Sequence, residues 1–155
     1  MTIVRYKQGK LTEAMDLYQE ALGMRLRALG KDHADVSIAY NNVAMVHTDQ
    51  GQLGKAAMMH QKALKIQLKS LGQDHILTAT TYDNLAHVLH ITYVPQHIRN
   101  HYKQGGLGEA AELCQKALDI GLKVLEHDDP FIAEAQELME QIQVDVSQSM
   151  GTVHP

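Results

Sequence analysis

The sequence predicts an all-α fold: a short α-solenoid of antiparallel helix pairs closed by a C-terminal capping helix. Three observations predict it. The chain matches itself when slid by 42 residues, with 15 identities in the 42 pairs that begin at Gly9, where about two or three are expected by chance. Apolar residues recur at the 3.6-residue spacing of helices and do not alternate. Alanines return at fixed places (Ala14, Ala21, Ala44, Ala56, Ala63, Ala86, Ala110, Ala117), where a small side chain lets neighbouring helix axes close up. A larger one overpacks such a contact at a cost of about 1–3 kcal/mol.

Taken in order, the first helical stripe is Leu11, Ala14, Leu17, Tyr18, Ala21, Leu22, Leu26 and Leu29, and it stops at Gly30, which tolerates positive φ. Asp32 is placed to cap the next helix or its entry turn. That helix shows Val36, Ala39, Tyr40, Val43, Ala44 and His47 and ends at Gly51. The cycle repeats from Leu53 to Leu71 and from Ile76 onward. It resumes after 12 extra residues, with Gln104-Gly105-x-Leu107-Gly108 copying Gln50-Gly51-x-Leu53-Gly54. The organisation predicted is a half repeat over 1–30, a repeat over 31–72 and a repeat over 73–126 carrying the insertion near 89–101. A capping helix over 129–146 and a flexible tail over 147–155 complete it. At offset 54 the last helix has Leu138 for Asn84 and Glu140 for Ala86, which is why it reads as a cap. Pro95 is expected to end or kink the helix begun at Ile76. The insertion then either lengthens that helix or bulges out as a short one.

Composition narrows the function. A formal charge of −4 with no basic stripe argues against nucleic acid. No apolar run approaches the roughly 18 residues of a membrane span. The single cysteine, Cys114, has no partner for a disulfide or a metal-spaced pair, so a reducing, cytoplasmic setting is expected. No phosphate loop, HExxH or G-x-S-x-G is present, and the chain is expected to have no catalytic residue and no cofactor. Among ten histidines, His87 with His90 and His97 with His101 have helical spacing. No cysteine or carboxylate completes a clear site, so no metal is expected. His33 and His75 sit in the loop motif, where an imidazole can bond backbone groups at a helix junction.

The run Leu29-Gly30-Lys31-Asp32-His33-Ala34-Asp35-Val36, then Asn41-Asn42-Val43-Ala44, then Gln50-Gly51 closely resembles the 42-residue tetratricopeptide repeat of kinesin light chain; nephrocystin-like proteins carry similar units. The resemblance covers about residues 3–140. Ala34 and Ile76 stand where that family usually has Pro after the loop His, while Asp128-Asp129-Pro130 keeps it. It implies a scaffold whose first helix of each pair, helix A, lines a concave groove for a protein or peptide. By the family's register the groove positions are Ile38, Asn41, Asn42, Met45 and Thr48, then Thr80, Asp83, Asn84, His87 and His90. Related grooves use the Asn at the places of Asn42 and Asn84 to clamp a peptide backbone, which suits a side chain that both donates and accepts. The alternative function is structural: a self-association module, or a piece of a longer array that stacks on another chain. The contact would be the first half repeat, whose face with Leu11, Tyr18 and Leu22 is expected to be uncovered.

Overall fold

In the computed structural model, residues 10–97 and 104–151 are described, with side chains of 10–93, 106–148. Among the described residues there are six helices and no strand: α1 Leu11–Leu29, α2 Ala34–Asp49, α3 Leu53–Ser70, α4 Ile76–His97, α5 Gln104–Val124 and α6 Pro130–Gly151. The chain divides into two compact units, Met1–Gly72 and Gln73–Pro155. The first holds α1 to α3 and the second α4 to α6.

Helix boundaries follow local chemistry. α1 stops at Gly30 with φ 80°, and α3 is followed by Gly72 with φ 87°. The Gly72 N–H donates to the Gln67 carbonyl at 3.1 Å, closing the helix end in the left-handed turn that only glycine adopts at little cost. At the other ends, His33 Nδ1 accepts from the Asp35 N–H and His75 Nδ1 from the Leu77 N–H, each at 3.1 Å. The loop histidines are therefore the N-caps. This corrects the expectation for Asp32, which instead accepts from Lys69 Nζ at 2.5 Å. A contact of the same kind joins Lys123 Nζ and Asp74 at 3.1 Å in the second unit. Before α6 the capping role passes to Asp129, whose Oδ1 accepts from the Phe131 N–H at 2.9 Å, with Pro130 as the first helical residue.

In the first unit α2 is buried through Val36, Ala39, Val43, Ala44 and Val46, packed against α1 through Ala14 and Met15 and against α3 through Ala56 and Ala63. Leu11, Tyr18 and Leu22 of α1 lie against Ala14, Met15, Val43 and Val46. The face expected to be uncovered is thus packed at these three residues. The reason is that α1 turns this side to α2, and its exposed large apolar residues are Met24 and Leu29. In the second unit Ala79, Ala86 and Val88 of α4 meet Leu107, Ala110 and Ala117 of α5, and α6 docks with Ile132, Ala135, Met139 and Ile142. All the alanines that recur at equivalent places in α2 to α5 are inaccessible to solvent.

The insertion lengthens both helices that flank it. α2 has 16 residues and α4 has 22, and α5 begins about one turn before the position equivalent to the start of α3. α4 is not ended by Pro95 but passes it and is helical through His97. A proline removes one backbone hydrogen bond, and α4 continues past that loss. Residues 98–103 lie outside the described residues, as does the pairing of His97 with His101. α6 likewise runs past the boundary set at 146: Ser147 to Gly151 are helical, since neither Pro nor Gly interrupts the run before Gly151. The flexible-tail expectation is corrected for those residues.

The lengthened pair is packed at its new part. A Cβ added to Gly106 would lie 2.2 Å from the Tyr93 ring, so glycine here lets α5 approach α4. Gly106→Ala is expected to lower stability by about 1–3 kcal/mol, despite the higher helix propensity of alanine. With Tyr93→Ala in the background the same change should become neutral or stabilising, by up to about 1 kcal/mol. Urea unfolding of the four proteins measures both effects.

Candidate functional site

The ten predicted groove positions lie on α2 and α4, and the structure sorts them by what their side chains already hold. In the first unit Asn41 is committed inward: its Oδ1 accepts from His60 Nδ1 of α3 at 2.8 Å. His60 is 1% exposed. Burial drives its pKa down to about 4, so the ring is neutral at pH 7 and its one N–H is placed to donate to the amide oxygen. The Thr48 hydroxyl bonds back to the Ala44 carbonyl at 3.1 Å. Ile38 and Asn42 are half-buried and Met45 is exposed. Asn42 makes no side-chain hydrogen bond among the described residues.

The second unit uses the same positions differently. The Thr80 hydroxyl bonds back to the Ile76 carbonyl at 3.0 Å, as Thr48 does in α2. Asn84 is half-buried and makes no side-chain hydrogen bond among the described residues, and His87 is exposed. His90 is taken up by α6, its Nε2 lying 2.6 Å from Asp145 Oδ2, with both side chains largely covered. The histidines at 87 and 90 are therefore placed differently: one ring is tied to a carboxylate on another helix while the other is exposed. No group of three His, Cys, Asp or Glu side chains among the described residues is arranged to hold a metal.

Asp83 shows what happens when the Asn41–His60 pair is not kept. Asp83 stands where Asn41 does in the first repeat, and Cys114 stands where His60 does. The Cys114 thiol donates to the Ala135 carbonyl of α6 at 3.2 Å, and Asp83 Oδ1 is buried without a hydrogen-bond partner among the described residues. Burial, with the charge of Glu134 on α6, pushes the Asp83 carboxyl up to about 6. Burial, with the charge of Asp83, pushes the Cys114 thiol up to about 11, which leaves it un-ionised and a poor nucleophile at pH 7.

The sequence reading missed His60, Glu134 and Asp145. His60 left a trace: it breaks the apolar stripe of α3 opposite an Asn position of α2. Asp145 left none, because the pairing spans 55 residues and follows no period. Outside the helix A faces, Lys62 lies over the Tyr40 ring at 5.6 Å and Lys116 over the Tyr82 ring at 5.8 Å, so this link between paired helices is repeated in both units.

Models of the tetratricopeptide repeat match residues 3–69 and 35–92, and again residues 99–131. The chain belongs to the tetratricopeptide repeat family. Its all-α solenoid fold is shared with solved structures at low sequence identity. BtubC (BKLC) from P. vanneervenii is 17% identical with a TM-score of 0.67, over 99% of this chain and 63% of that one. A kinesin light chain-like protein of Podosopora anserina with nearly identical TPR-like repeats is also 17% identical, with a TM-score of 0.55, over 99% of this chain and 94% of that one. The chain thus spans less than two thirds of the length of BtubC. No curated protein is matched by the sequence. The tetratricopeptide repeat family is thus shown by the family models, and the likeness to the kinesin light chain-like structure is one of fold. No helix among the described residues is long and apolar enough to cross a membrane.

The two inward-facing positions give opposite pH responses. His60 binds a proton less readily folded than unfolded, so its contribution to stability is complete above about pH 6.5 and is lost as pH falls toward 4. The full effect is about 3 kcal/mol. Asp83 is the reverse, because its folded pKa is raised: the folded state gains protons first, and stability falls as pH rises from about 4 through 6. Asp83→Asn is expected to stabilise the protein above pH 6 and do little below pH 4. His60→Gln should flatten the loss between pH 6.5 and 4. Thermal melts of the variants across that range check both signs.

Proposed function

We propose that the chain is a non-catalytic adaptor that holds a protein or peptide against its helix A faces, Asn42 serving in the first unit and Asn84 in the second. Tetratricopeptide repeats generally mediate protein–protein interaction, and that much follows from the family. The observation that carries the finer reading is the division among the ten positions. Asn41, Thr48, Thr80 and His90 spend their polar groups inside the protein, whereas the amides of Asn42 and Asn84 stay uncommitted at equivalent places one repeat apart. An amide in that state offers a donor and an acceptor to a peptide unit irrespective of the guest's sequence. Met45, 41% exposed beside Asn42, adds an adaptable apolar contact. A ligand held this way gives up little to side-chain recognition, so affinity comes from main-chain pairing and from how many repeats engage at once.

A peptide selected from a displayed library against the wild-type chain supplies the test. Asn42→Ala together with Asn84→Ala should weaken that peptide about tenfold or more, each uncharged hydrogen bond contributing about 0.5–1.5 kcal/mol, and should leave the melting temperature almost unchanged. Fluorescence polarisation gives the affinity. Equal affinity for the double variant and the wild type would remove the groove assignment.

A further inference from the structure

Charge is divided unevenly between two helices away from the helix A face of α2 and α4. α3 carries Lys55, Lys62, Lys65 and Lys69 and no acidic residue. Counted from Lys55 these fall at steps of seven, ten and fourteen, which places them along one stripe of the helix. All four are exposed, and Met58, 54% exposed, lies among them. α6 is the opposite: it holds Glu134, Glu137, Glu140 and Asp145 and no Lys or Arg. The three glutamates are exposed, while Asp145 is turned toward His90. Val144, 47% exposed, shares a shallow hollow with Glu140.

Part of the α3 charge is answered within the first unit, Lys69 by Asp32 and Lys62 by the Tyr40 ring. Lys55 and Lys65, and on the other helix Glu137 and Glu140, form no ion pair among the described residues. A chain with a net charge of −4 therefore presents one helix face that is wholly basic and another that is wholly acidic, each with an exposed apolar side chain in its midst. We infer that the α3 face of one copy docks on the α6 face of a second copy, lysines against glutamates around Met58 and Val144. The occupant is a second copy because the complementary surface is carried by this same chain. The contact is heterologous, two different patches meeting. Neither Asn42 nor Asn84, the two amides assigned to the guest, belongs to this contact. Exposed ion pairs are individually weak and screened by salt. The association is accordingly transient and strongest at low ionic strength.

Sedimentation velocity of the full chain at up to about 200 micromolar, in about 50 mM and then about 0.5 M salt, tests this. The wild type should sediment faster with concentration at low salt, and the association should weaken at least tenfold at high salt. Lys55→Glu with Lys65→Glu should abolish it, as should Glu137→Lys with Glu140→Lys, each variant keeping the wild-type circular dichroism. Mixing the two variants should restore association, because reversed faces are again opposite in sign. A wild type that stays monomeric at low salt overturns the inference, and so does association that survives both reversals or fails to return on mixing. Loss of helicity in a variant shifts the decision to the salt dependence of the wild type, where association equal at both salt concentrations also overturns it.

Discussion

A helix pair of this size cannot bury its apolar side by itself, and everything else in the molecule follows from how closely the next helix can come. The approach is set by alanine. At Ala44, Ala56, Ala63, Ala86, Ala110 and Ala117 the side chain is fully covered, and a methyl group is all that separates one backbone from its neighbour. Larger residues fill the spaces that remain, as Val46 and Ile142 do. Close packing over so short a distance leaves no freedom to slide, so the register of each pair is fixed, and with it the side of helix A that is left for other work.

Much of this was visible in the residues. The self-match gave the helix pairs, the alanines gave the packing seams and Gly30 and Gly72 gave the stops, while the caps fell to the loop histidines and not to Asp32. Each is a local or periodic signal, repeated, and repetition separates it from accident. What was hidden has no period. Asn41 meets His60 and His90 meets Asp145 across 19 and 55 residues, through side chains that would look equally at home facing water. The face of α1 was misjudged because a half repeat has no preceding helix to cover it, whereas α2 supplies a cover at Leu11, Tyr18 and Leu22. Pro95 was expected to end or kink α4, and it does not end it, because one lost backbone bond can be absorbed within a longer helix.

The polar contact between paired helices shows how one position can serve two ends. Asn41 and His60 form a neutral, satisfied hydrogen bond that pins α3 to α2. The corresponding Asp83 and Cys114 form none, the thiol having turned to Ala135 of α6. One link has been exchanged for another: the second unit loses a bond within its helix pair and gains one to its last helix. The cost is a buried carboxylate oxygen with no hydrogen-bond partner among the described residues, a group whose desolvation is unfavourable. Placing charge where the first unit has none also makes the two units respond to acid in different ways.

The longer hairpin of α4 and α5 has a further meaning. Its extra turns sit at the end where the two helices join, beyond the last seam alanine of α4 and before the first of α5. Growth at that tip leaves every seam residue in its original phase, whereas the same residues added at the middle of either helix would rotate one half of its surface against the other. A stack of this kind can therefore acquire new length, and new surface along it, by an event that its existing contacts do not register. Tyr93 resting on Gly106 is that added length already knitted to its partner.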